Sequence, residues 1–248
     1  MAKDLFSEQS KSYAAFRPAY PKELFDYIVQ FAEKRNRAWD CATGNGQAAK
    51  ALADYFEKVE ASDISQAQVN NAIQIPNIEY HVCPAEETPF EDNSFDLISV
   101  AQAYHWLNWK KFHDEAERVG KPNCVVAVWG YNLLVCNDEK VNALIHHFYR
   151  DITGSYWDYE RRYVDEGYAT VDFEFVQLPA HKFETRMRWT RKHLEGFFRS
   201  WSAVQNFIKQ NQVDPVATIE KEIDAVWNEV EEKEISFPIF MKIGRIRK

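Results

Sequence analysis

The stretch Ala38–Ser65, AWDCATGNGQAAKALADYFEKVEASDIS, constrains what this chain can fold into more than any other. A short apolar run leads to Gly44 and Gly46, one residue apart. From Gly46 to Phe56, Ala49, Leu52, Ala53 and Phe56 recur at helical spacing. The segment KVEASD then closes on Asp63, seventeen residues past Gly46. That order predicts a strand, a tight glycine turn, a helix and a second strand. Two strands joined this way must run parallel, because the helix carries the chain back to the starting edge.

The pattern continues. IEYHVC at 78–83 predicts a third strand. FDLISVA at 95–101 is nearly all apolar, as expected of a parallel strand covered on both faces. A helix over KKFHDEAERVG leads to CVVAVWGY, again a buried strand. Upstream, residues 22–34 place Leu24, Phe25, Ile28, Phe31 and Ala32 on one helical face behind Pro21. Alternation of strand and helix from 36 to 131 defines an α/β chain with a doubly wound parallel sheet. Beyond it, Val141, Leu144, Ile145, Phe148 and Tyr149 form a helical stripe. FEFVQLPAHKFETRMRW reads as two strands around Pro179, and Ile219, Ile223, Trp227 and Val230 as a helix before a last strand, ISFPIFMKIGRI. No repeat, low-complexity tract or linker divides the 248 residues, so one domain is expected.

Bulk properties exclude some classes. The net charge of −8 argues against a duplex-binding surface, which would show a basic stripe. Cys41, Cys83, Cys124 and Cys136 form no CxxC pair and fall in or beside expected strands, as small reduced hydrophobes. The opening MAKDLFSEQS lacks the apolar core of a secretory signal, and no apolar run reaches the ~18 residues a membrane helix needs. A cytoplasmic protein with no membrane or nucleic-acid partner is expected.

GNGQAA satisfies the GxGxxG/A pattern of dinucleotide sites, with Ala49 in the third place. Asp40 at the first strand's end points instead to a cationic group near the turn, since a carboxylate is an odd neighbour for a pyrophosphate. Asp63 suits both hydroxyls of a ribose, which either ligand carries.

The ordered set of motifs is more specific than any one of them. D-x-A-T-G-N-G-Q, S-D-I-S, A-E-x-x-P-F-x-D-x-S-F-D-L, A-x-x-H-W and E-A-x-R-V-x-K-P follow one another over nearly the whole chain. In that order they resemble the class I S-adenosylmethionine-dependent methyltransferases. Within that class the chain resembles the small-molecule, type 11 branch that includes trans-aconitate methyltransferases and embryo-abundant-type proteins. FSEQSKSYAAFRPAYPKELFDYI and RSWSAVQNF resemble that branch too.

The resemblance implies a Rossmann-like, mostly parallel sheet with an antiparallel last strand. It also implies an N-terminal cover at 1–20, a cofactor-binding core at 36–131, and lid or acceptor-pocket helices at 137–172 and 190–232. The implied cofactor is S-adenosylmethionine, with no metal, in a monomer or homodimer acting on a small-molecule acceptor. Position by position, Ala42, Thr43, Gly44, Gly46 and Gln47 form the turn beneath the cofactor. Asp40 anchors its amino-acid end, directly or through water. Asp63 binds the ribose, Ile64 packs on the adenine, and Ala85 and Glu86 border the ring edge. Gln102 offers its carbonyl to the methionine ammonium, and Tyr13 and Arg17 fold over the carboxylate. Ala42 replaces the usual first glycine of the turn, which a negative φ would permit. Pro84 replaces a common acidic residue, and Asn123 stands where a turn glycine is usual, which left-handed geometry permits.

Methyl transfer asks mainly for positioning and desolvation, plus a base where the acceptor carries a proton. His105 and Trp106, after the fourth strand, are the catalytic candidates, and with Trp201 they are expected to wall the acceptor pocket. His105 either positions the acceptor or takes its proton. The basic residues of HKFETRMRWTRKHLEGFFR attract an anionic acceptor or merely form a solvated face. The acidic run EVEEKE is surface. A silent binding or regulatory protein on the same fold is the alternative, and retention of Asp40, Asp63 and both glycines speaks against it.

Overall fold

The computed structural model describes residues 16–248. The described elements are α1 (Lys22–Val29), β1 (Arg37–Cys41), α2 (Gln47–Leu52), β2 (Lys58–Asp63), α3 (Gln66–Asn70), β3 (Ile78–Val82) and β4 (Phe95–Ala101). A 3₁₀ turn (Tyr104–Trp106), α4 (Trp109–Val119), β5 (Gly120–Tyr131), β6 (Val135–Cys136) and α5 (Glu139–His147) follow. The chain ends through α6 (Arg161–Asp165), β7 (Val176–Gln177), β8 (Phe183–Thr190), α7 (Arg191–Arg199), α8 (Ser202–Asn211), α9 (Pro215–Thr218), α10 (Glu220–Val226) and β9 (Glu232–Arg245).

The strands make one sheet in the order β3-β2-β1-β4-β5-β9-β6, with β7 and β8 also paired to β9. Strands β1 to β5 are mutually parallel, and β9 runs antiparallel to β5 and to β6, β7 and β8. The order turns at β1, whose carboxyl end lies beside that of β4. Open α/β sheets bind ligands at such a switch point.

Alternation along the central strands divides the core into two layers. Ala38, Leu97, Val125 and Ala127 face one side, with α1, α2 and the later helices. Trp39, Cys41, Ile98, Val100, Val126 and Val128 face the other, with Phe112, Ala116 and Val119 of α4. A strand covered on both faces must be apolar at every position, which is why β4 and β5 read as unbroken hydrophobic runs.

Several expectations need correction. Helix α1 stops at Val29, and Phe31 and Ala32 close tight turns onto Ile28 and Val29 rather than extending it to residue 34. Helix α2 ends at Leu52, although Phe56 is still buried. Ile219, Ile223 and Trp227 are buried as expected, but Val230 is 87% exposed. Helix α10 ends at Val226 and Trp227 is already extended, so the helical period no longer applies four residues on. Asn123 does adopt φ 65°.

Candidate functional site

The described residues enclose a cavity of roughly 270 Å³ at the carboxyl edge of β1, β2 and β4. Its floor is the turn after β1. Gly44 has φ +57°, and a methyl group added there would meet nothing within 4 Å, so the backbone opens directly onto the cavity. Gly46 has φ +85°, and a Cβ there would lie 2.2 Å from the Tyr80 hydroxyl oxygen. A side chain would strain the left-handed backbone at either position, and at Gly46 it would also have to displace Tyr80. Ala42 also has φ 53°, so the expectation of a negative φ is wrong. The turn demands the left-handed conformation that the usual glycine provides, and Ala42 adopts it at a cost of roughly 1 kcal/mol.

Asp63, on the cavity wall at the end of β2, is held by backbone amides. Its Oδ2 accepts from the Gly44 N–H at 2.8 Å and its Oδ1 from the Ser65 N–H at 2.8 Å. Ser65 in turn caps α3, its Oγ accepting from the Gln68 N–H. The carboxylate is thus fixed relative to the turn. Asp40 is placed differently. It is fully buried behind the turn, where the Thr43 hydroxyl donates to Oδ2 at 2.5 Å and the Ser99 hydroxyl to Oδ1 at 2.7 Å. Burial pushes its pKa up to about 6 against those two hydrogen bonds. Thr43 lines the cavity and Asp40 stands one layer behind it.

Ile64 lies on the wall with an unusual 40% exposure for an apolar side chain, as a flat surface without its cover. Ala85 and Glu86 border the same end, and Glu86 Oε1 accepts from the Asn108 N–H at 2.9 Å. Ala42, Gln47 and Gln102 also line the cavity. Gln102, at φ 55°, locks the ends of β4 and β5 together, its Oε1 accepting from the Tyr131 N–H at 2.7 Å. Arg17 reaches the wall from the N-terminal segment, donating to the Tyr131 hydroxyl at 2.6 Å and the Ser200 carbonyl at 3.0 Å. Tyr13 lies outside the described residues.

The acceptor-side candidates are not all brought together. Trp106 lines the cavity. His105 is buried beside it, with ring centroids 4.9 Å apart and Nδ1 2.9 Å from the Tyr168 hydroxyl. Burial, and then the positive charge of Arg161, push its pKa down to about 3. Trp201 is 4% exposed within an aromatic cluster that includes Phe148, Phe198 and Trp157, away from the residues lining the cavity. The arginines of β8 are paired by acids, Arg186 with Glu184 and Glu234, and Arg188 with Glu232.

Sequence reasoning missed Gln68, Tyr131 and Glu160 on the wall. Gln68 is buried with Oε1 unpartnered among the described residues. Its place three residues after Ser65, an N-cap, is the signal that could have found it.

A doubly wound sheet whose ligand site combines a left-handed glycine turn after β1 with a fixed aspartate at the end of β2 defines a frame for a nucleoside-containing cofactor. Residues 39–128 match the family model described as a methyltransferase domain. A "putative methyltransferase" from Dictyostelium discoideum is 32% identical, over 98% of this chain and 95% of its own. A solved structure from Anaeromyxobacter dehalogenans, described as a type II methyltransferase in the same terms, is 35% identical with a TM-score of 0.86. That match covers 94% of this chain and 99% of the other. An uncharacterised methyltransferase from Mycobacterium tuberculosis is 31% identical over 47% of this chain and 48% of its own.

The chain belongs to the methyltransferase family. It is an S-adenosylmethionine-dependent enzyme, and the cavity fits that cofactor. Gly44 leaves open space where backbone must pass beneath a ligand, Ile64 exposes an apolar face, and Asp63 holds a carboxylate on the wall of the cavity.

Proposed function

We propose that this enzyme methylates a small anionic or polar metabolite, in the branch its sequence resembles. What supports the reading is the enclosure of the cavity's far end by side chains from three separate segments. Arg17 and Tyr20 come from the N-terminal segment, Trp106 and Leu107 from the turn after β4, and Glu160 from the segment before α6. A space bounded that way favours an acceptor that enters whole over one that lies across an open groove.

In this reading the turn from Ala42 to Gln47 cradles the cofactor. Asp63 takes the ribose hydroxyls, Ile64 covers one face of the adenine, and Gln68 Oε1 accepts from a donor of the ligand. Ala85 and Glu86 border the ring, while Gln102, Arg17 and Tyr13 hold the amino-acid end. Asp40 acts through Thr43. Bound S-adenosylmethionine supplies an electrophilic methyl carbon: as the acceptor atom bonds to it, the carbon–sulfur bond breaks and sulfur keeps the electron pair. A carboxylate acceptor gives up no proton, so no base is required. His105 suits that chemistry as a positioning residue, since an imidazole kept neutral down to about pH 3 is a poor proton acceptor. It holds Trp106 and Tyr168 in place, and Trp201 stiffens the lid behind them.

S-adenosylhomocysteine release over a panel of small acids, phenols and amines, beside histone, tRNA and duplex DNA, tests this reading. Turnover confined to small molecules is the expected result, and robust methylation of a macromolecule would overturn it. With an active acceptor in hand, His105→Gln should lower kcat by less than ~10²-fold and leave the pH profile flat from 5 to 8. A general base would show a larger loss and a missing ionisation.

A further inference from the structure

We propose that Arg161 is the anion subsite of the acceptor pocket, receiving a carboxylate between its two terminal nitrogens; the inference rests on the reading of the acceptor as an anionic metabolite. Arg161 opens α6 and is held by one edge. Its Nε donates to the Tyr149 hydroxyl at 2.9 Å and to Asp165 Oδ1 at 3.2 Å. Tyr149 is itself fixed, because its hydroxyl donates to both Asp165 oxygens, at 2.7 and 2.9 Å. The guanidinium carbon sits 4.9 Å from the centre of the Trp157 ring and 5.4 Å from that of Tyr149. Those contacts immobilise a long side chain before any ligand arrives, which lowers the entropy cost of binding.

The two terminal nitrogens, by contrast, hold no hydrogen bond among the described residues, and the side chain keeps 17% of its exposure. A guanidinium so held offers a planar pair of donors matched to a carboxylate. It stands beside the cavity, one residue past its lining. The preceding residue, Glu160, lines the cavity, and α6 packs on the Tyr104–Trp106 turn, whose Trp106 lines it too. Arg161 is also near His105, whose neighbour Trp106 lines the cavity. The arginines that looked suited to this task from sequence are otherwise engaged. Arg186 pairs with Glu184 and Glu234, Arg191 with Glu195 and Asp224, and Arg199 with Asp214 and Glu195, while Arg188, held by Glu232 through Nε, stands 70% exposed at the surface. Asp165 accepts its hydrogen bond from Nε, so it orients the fork from its edge.

The test is steady-state kinetics on the full chain with aliphatic mono-, di- and tricarboxylic acids and their amides, read by S-adenosylhomocysteine release. Calorimetry with S-adenosylhomocysteine runs alongside as a check on folding and on the cofactor site. For an accepted acid, Arg161→Met should raise KM roughly 10- to 100-fold, the loss of a charge-assisted pair of hydrogen bonds. It should change kcat far less, abolish the preference for acid over amide, and leave cofactor affinity within a factor of ~2. Arg161→Lys, which keeps the charge but not the fork, should fall between. If wild type prefers acids and both variants keep its KM and preference, the anion site lies elsewhere; this inference fails while the proposed function stands. If amides or phenols are turned over and acids are not, the anionic reading and this inference fail together. A protein that binds S-adenosylhomocysteine and turns over no member of the panel counts against both.

Discussion

Ala42 and Asp40 show how the site strains single residues. The left-handed φ of Ala42 costs roughly 1–2 kcal/mol, while glycine would add back some unfolded-state entropy. Ala42→Gly should therefore stabilise the protein by about 0.5–1 kcal/mol in urea titrations; equal or lower stability would mean the turn is not strained there. Asp40 is charged at neutral pH in a place that disfavours charge. Its folded pKa, about 6, lies above the unfolded value of 3.8, so its contribution to stability is fully present below pH 3.8 and is lost as pH rises to 6. The loss is on the order of 3 kcal/mol. Asp40→Asn removes it. The variant should gain on wild type between pH 4 and 6 and stay ahead at pH 7, while binding cofactor more weakly. A stability difference that does not change across that window would refute the assignment. His105 runs the other way: its folded pKa of about 3 lies below 6.5, so its contribution is lost as pH falls from 6.5 towards 3.

At the scale of elements, legibility followed sequence distance. The strand–turn–helix–strand unit and the places of Gly44, Gly46 and Asp63 were readable because turn chemistry and periodicity act over a few residues. What the later segments pair with was not. Arg188 meets Glu232 across 44 residues, and His105 meets Tyr168 across 63, and no local pattern carries either pairing. Arg161 went unnoticed for the same reason, since its value comes from Trp157 and Tyr149 holding it beside a turn more than fifty residues upstream. The N-terminal segment gives the prediction at this scale. Arg17 and Tyr20 line the cavity and bridge it to β5 and to Ser200 after α7. Chymotrypsin cleavage after Phe16 should slow markedly with saturating S-adenosylhomocysteine; equal rates in both states would exclude a cover that closes on the cofactor.

For the whole molecule, the α/β class and the parallel core were legible, because two-sided burial leaves an unmistakable apolar signature in β4 and β5, whereas the antiparallel last strand was implied by the resemblance alone. No helix among the described residues is long and apolar enough to cross a membrane. Beyond residue 139, Phe148, Tyr149, Phe197, Phe198 and Trp201 are buried against the same face as α1, whereas Tyr168, Phe173 and Phe175 are buried against the other. In the proposed reading the carboxyl edge of the sheet is the cofactor platform, and everything else depends on it. Its central claim is tested most directly by calorimetric titration of S-adenosylhomocysteine into the wild-type protein and Asp63→Ala, with NAD as the control ligand. The structure predicts one site per chain, affinity lower by about 1.5–3 kcal/mol in Asp63→Ala, and no heat from NAD. Saturable binding of NAD with none of S-adenosylhomocysteine, or wild-type affinity in Asp63→Ala, would contradict it.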